Sequence, residues 1–206
     1  MKMADKILMA KHWQLFLLTW GIQIIFQFIW VGLQIVNMKN GAGPKPQSLF
    51  SLMPMMLFGT IIFFCVHFAW FWSVAIGIQN KIPVNLKMKT RWFKLLILFQ
   101  VVYISLIYIS VVAGMILVPK MPENGMETLL SVVPNFVFVI VLLHLVAIFC
   151  CCYSIYFVAK SLKTAELQRE TSFTDFSGEM FSIWWFPIGI WALQPRINKL
   201  SLGSDC

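Results

Sequence analysis

The sequence predicts an all-α integral membrane protein. The expected form is an up-down-up-down four-helix bundle with both termini cytoplasmic and a short C-terminal interfacial helix. Three observations predict it. The 206 residues are 60% hydrophobic and only 12% charged, with mean hydropathy +0.81, whereas a soluble domain carries about 25% charged residues. The apolar residues are gathered into four long runs that contain no Asp, Glu, Lys or Arg. The basic residues fall almost wholly on one side of the membrane that those runs imply.

Span one, about 13–36, is WQLFLLTWGIQIIFQFIWVGLQIV. About 20 apolar helical residues cover a hydrocarbon core of roughly 30 Å, and only helices or closed barrels satisfy the backbone there. The run after Lys11 is too long for a signal peptide, so it is expected to stay as a signal anchor. Trp13, Phe16, Trp20, Gln23, Gln27, Trp30 and Gln34 recur at alternating steps of three and four, which places them on one helix face. Amides such as Gln23, Gln27 and Gln34 can join helices within the bundle or between protomers, for ~0.6–2 kcal/mol each. They could also line a pore.

A Gly- and Pro-rich loop, 37–48, leads to span two, about 53–79, which carries His67. The basic loop 80–94 precedes span three, about 95–118, with Gln100, Tyr103 and Tyr108. Loop 119–130 precedes span four, about 133–159, with His144 and the run Cys150, Cys151 and Cys152. Pro54 and Pro134 are read as first-turn prolines, where no helical N–H is lost. His67 and His144 fall near mid-span on helices running the same way. They could be axial ligands of haem b, a proton relay, or members of a polar layer bonded to the tyrosines and glutamines. Neighbouring cysteines on a helix point in different directions, so the triplet is read as small apolar packing.

With four spans, thirteen of the sixteen Lys and Arg lie on the side of the termini and three on the other. The positive-inside rule makes the first side cytoplasmic. The net charge of +8 is thereby assigned to topology and anionic headgroups, not to nucleic acid.

The spans form one transmembrane domain, 1–159, followed by a cytoplasmic tail, 160–206. The tail begins as a helical extension of span four. Ser172 and Asp175 have capping-box spacing for a new helix. Glu166, Glu170, Asp175 and Glu179 read as solvated faces and caps. The segment 176–193 contains FSIWWFPIGIWAL, 181–193, which is uncharged but reaches only about 20 Å as a helix. Pro187 is expected to break it, leaving a short helix to about Phe186 and a bend over Pro187 to Gly189. Trp184, Trp185, Phe186 and Trp191 suit a headgroup-level anchor or a partner surface, with Arg196 and Lys199 meeting anionic lipid.

The ending from AELQRE to FPIGIWALQPRIN resembles that of small four-span membrane proteins of bacteria, mainly Bacteroidetes, a group with no assigned activity. The resemblance covers about a fifth of the chain and rests on Phe186 to Asn198. It implies a bacterial inner membrane and an ordered tail, and no activity.

No motif for nucleotide hydrolysis, acyl transfer or zinc proteolysis occurs. The expected function is non-enzymatic: an interaction or accessory subunit of a membrane complex, partnering or self-associating through span one and the tail. Two alternatives stay open at this point. One is an oligomeric pore lined by Gln23, Gln27 and Gln34, for example in stress or defence. The other is an electron-transfer subunit holding haem through His67 and His144.

Overall fold

The structure is a computed structural model that describes residues 3–39, 46–117, 120 and 122–202. Lys2, Lys45, the middle of the first loop and Cys206 lie outside them. The described residues are almost all helical, without a strand, and the α-helices are α1 (Met3–Leu8), α2 (His12–Phe16), α3 (Ile22–Lys39), α4 (Pro46–Gly77), α5 (Thr90–Leu117), α6 (Glu123–Leu167), α7 (Phe173–Trp184) and α8 (Phe186–Leu202). A π-helical turn, Leu17–Gly21, joins α2 to α3, so the first span is continuous.

Four stretches are long and apolar enough to cross a membrane: His12–Lys39, Met56–Lys81, Thr90–Leu117 and Phe136–Leu167. They coincide with the four runs of the sequence. The connections are shorter than expected, because α4 already begins at Pro46 and α6 at Glu123. Pro54 and Pro134 therefore sit inside helices rather than in their first turns. Each removes one backbone hydrogen bond, which neighbouring groups in a membrane protein can compensate.

The chain forms two compact units. The first comprises Met1–Met88 and Val158–Cys206, and the second Lys89–Phe157. In the first, spans one and two run antiparallel. Leu8 lies against Gly77, the Trp20 ring against Phe63 at 5.7 Å, and Gln23 donates to Thr60 Oγ1 at 3.1 Å. The tail belongs to this unit rather than standing apart as a separate region. The core of the unit is Trp70, Val74 and Ile78 of α4, Leu162 of α6, and Ile183, Ile190, Leu193 and Ile197 of the tail.

In the second unit α5 and the part of α6 up to Phe157 are also antiparallel. Phe93 stacks on Phe157 at 4.8 Å, Ser154 Oγ donates to Gln100 Oε1 at 3.3 Å, and Tyr103 hydrogen-bonds His144.

Two glutamines, buried Gln79 and exposed Gln168, fix the ends of the first unit. Gln79 donates to Ser161 Oγ at 3.2 Å and accepts the Met88 N–H at 3.3 Å, which folds the basic loop back on α6. Gln168 terminates α6 in the left-handed region (φ 51) and donates to the Lys81 carbonyl at 2.9 Å.

Candidate interaction site at the C-terminal hairpin

The uncharged stretch 181–193 is not among the stretches long and apolar enough to cross a membrane, and its helix is interrupted at Trp185, just before the expected break. It is the tip of an antiparallel hairpin, α7–α8. Ser172 N-caps α7, its N–H donating to Asp175 Oδ2 at 2.9 Å, as the spacing predicts. Arg169 grips the same carboxylate at 3.1 and 3.2 Å. The Ser172 N–H, and then Arg169, hold the Asp175 carboxyl down to about 2.

The turn falls at Trp185 (φ −90, ψ 53), not at Pro187 to Gly189. Pro187 occupies the first turn of α8, where its missing N–H costs nothing. Gly189 has a different role from the expected bend. A Cβ there would lie 1.7 Å from the Ser182 carbonyl oxygen, so glycine is what allows α8 to approach the α7 backbone.

The rear face of the hairpin is locked to the protein. Gln194 is fully buried. Its Oε1 accepts Trp70 Nε1–H at 2.8 Å, and its Nε2 reaches the carbonyls of Ile7, Leu8 and Ala10 at 3.2, 3.2 and 3.0 Å. One side chain thus joins α8, span two and the end of α1, whose last carbonyls have no helical partner.

Beside it lies a four-charge cluster. Arg196 donates to Glu166 Oε1 at 2.7 Å and to Glu179 at 2.6 Å, and Lys163 donates to Glu179 at 3.0 Å. Arg196 is therefore ion-paired within the protein. Glu179 is buried, not solvated. Burial alone would raise its carboxyl, but hydrogen bonds from Arg196 and then Lys163 outweigh that and hold it below the ordinary 4.5. Arg196 is pushed up by its bond to Glu166, against its own burial.

The front face is open. Phe181, Trp184, Trp185 and Ile188 leave between 62 and 72% of their surface exposed. Trp191 is half exposed, with its ring 4.5 Å from His12 and 5.8 Å from Phe16. Phe186 points the other way and is buried, its ring 5.1 Å from Trp70 and 4.9 Å from His67. His67 lies well inside the second span, Met56–Lys81, about 20 Å along the helix from Lys81. The hairpin tip is thus packed beside the middle of span two.

The polar residues singled out in the spans resolve into separate local contacts. Gln23 is bonded to Thr60. Gln27 is exposed, and Gln34 is buried with both amide atoms unpartnered among the described residues. His67 is surrounded by Phe63, Phe68, Phe71 and Phe186 at 4.7 to 6.2 Å, and its Nδ1 is unpartnered among the described residues. Gln100 pairs with Ser154, and Tyr103 with His144; Tyr108 is half-buried. His67 belongs to the first unit and His144 to the second.

Gln194, Glu166, Glu179 and Trp70 were not singled out as site residues from the sequence. The signal for Gln194 was present: Phe186, Ile190, Leu193, Gln194 and Ile197 form a single helical stripe once Pro187 is read as a helix start.

Comparison with protein-family models, with curated proteins and with solved structures found no match to this chain.

Proposed function

We propose that this chain is a non-enzymatic membrane subunit of the bacterial plasma membrane that acts by self-association through span one, and that its tail is a re-entrant hairpin rather than a fifth span. The observation that carries self-association is Gln27. It lies mid-span on the exposed side of α3, with Ile24, Phe28, Val31 and Ile35 around it. A primary amide facing hydrocarbon is costly and seeks a partner. Glutamine both donates and accepts, so two copies of Gln27 satisfy each other across a two-fold axis.

Two features support cytoplasmic termini. The thirteen-to-three basic bias orients the chain. The bonds from Gln194 to residues 7, 8 and 10 keep the N-terminal segment and the tail at one end, which needs an even number of crossings. Glu166 and Arg196, which flank the hairpin, meet each other, so the chain returns to where it left.

A glutamine-lined pore has less support, since Gln23 is spent on Thr60. The haem reading has less support, since His67 is enclosed by rings and His144 is paired with Tyr103.

The test is oligomeric state in mild detergent, with disulfide capture of Gln27→Cys in native membranes. Self-association predicts a dimer in the wild type, a cross-link for Gln27→Cys and a shift to monomer for Gln27→Leu. A monomeric wild type without a cross-link would refute it.

A further inference from the structure

Beside α1, where spans one and two open, lies a groove of about 610 Å³, within the ~300–1,000 Å³ of small-molecule sites. Its walls are mainly apolar, from Trp13, Leu17 and Leu18 on one side and Val66 and Ala69 on the other, with Cys65 near the floor and Lys6 at the opposite end.

The groove is graded along the membrane normal. Leu8 lies against Gly77, near the end of span two, so Lys6 is at the level where the chain leaves the hydrocarbon. Cys65 lies twelve residues before Gly77 on α4, about 18 Å deeper along that helix. That is about half of a bilayer core, or one leaflet.

Lys6 is exposed and forms no ion pair among the described residues. Leu17 and Leu18 lie in the π-turn, braced by Thr19 Oγ1 donating to the Leu15 carbonyl at 2.7 Å. Such turns are rare and concentrate at functional sites. Here the turn places two consecutive leucines in the groove lining.

We propose that this groove is a binding site for an anionic phospholipid of the surrounding leaflet, one acyl chain lying along Leu17, Leu18 and Val66 and the phosphate on Lys6. A cation at headgroup level above an apolar slot one leaflet deep is complementary to that ligand at both ends. The inference rests on the spans alone and not on self-association.

Cys65 provides the readout, because it is exposed and a chain in the groove would cover it. The protein in nonionic detergent is titrated with dioleoyl phosphatidylglycerol or dioleoyl phosphatidylcholine. Maleimide labelling of each cysteine is followed by peptide mass spectrometry, with exposed Cys152 as internal control. Phosphatidylglycerol is expected to protect Cys65 at about fivefold lower concentration than phosphatidylcholine, the advantage of one lysine at an anionic headgroup. Lys6→Gln should abolish the difference, and Lys11→Gln should keep it. Equal protection by both lipids, protection of Cys152 alongside Cys65, or a difference that survives in Lys6→Gln would overturn the proposal.

Discussion

Replacing Gln194 with Leu should release the C-terminal hairpin. Leucine matches the volume of glutamine but makes none of its bonds. The substitution strips the acceptor from the buried Trp70 N–H, 2.8 Å away. It also withdraws two amide hydrogens from the carbonyls of Ile7, Leu8 and Ala10 and from Asn198 Oδ1, at 2.9 to 3.2 Å. Three neutral hydrogen bonds at a net ~1 kcal/mol each amount to about 3 kcal/mol. Every 1.4 kcal/mol is a factor of ten, so the undocked population should rise about 100-fold. Trypsin cleavage after Arg196 and Lys199 tracks that population when opening is fast relative to cleavage. The assay is the rate of loss of the intact C-terminus in mild detergent near neutral pH. Trp70→Phe alone should also accelerate cleavage, by leaving the Gln194 carbonyl oxygen unpaired. The double variant should be less damaged than the sum of the singles, because removing both partners leaves no orphan between them. Cleavage of Gln194→Leu at the wild-type rate, or strictly additive effects, would refute the pin.

Other residues give independent tests. Gly189→Ala places a methyl group against the Ser182 carbonyl. It should force α7 and α8 apart and cost at least as much as typical overpacking, ~1–3 kcal/mol, read by the same cleavage assay. Glu179 binds its proton less tightly when docked than when released. Docking should therefore be at full strength above pH 4.5 and weaken as pH falls through the lower folded value. Hydrogen exchange of residues 173–200, corrected for intrinsic rate, should show this, and Glu179→Gln should reduce it, leaving the contribution of Asp175. Arg196→Ala leaves Glu166 and Glu179 to share Lys163 alone within the cluster and should destabilise docking more than Glu179→Gln does, measured by exchange at pH 7. Gln23→Leu should lower thermal stability in detergent by ~0.6–2 kcal/mol through its lost bond to Thr60, while Gln27→Leu should leave the stability of the monomer unchanged.

The spans were legible because their signal is a sum over twenty or more residues, which no single contact can reverse. The capping box at Ser172 was legible because it closes over three residues. Pro187 was misread because proline stops a helix in mid-course but starts one in its first turn. The sequence does not say which unless the fold of the partner helix is known. Glu179 was misread because its pairing with Arg196 spans 17 residues across a turn, and charge beside an apolar run looks solvated until the chain closes on it. Gly189 followed the same logic. Its need for a bare Cα comes from Ser182 across the hairpin, which no local pattern announces.

The bonds between Gln194 and residues 7 to 10 also set an order of events. A chain is made from its N-terminus, and its parts fold as they emerge. Spans one and two can pair long before residue 194 exists, but until then the Trp70 N–H and the carbonyls that end α1 lack the partner that the finished protein gives them. Helix α8 thus completes the end of α1. A chain interrupted within α8 would keep all four long apolar stretches and still leave the Trp70 N–H and the carbonyls that end α1 without that partner.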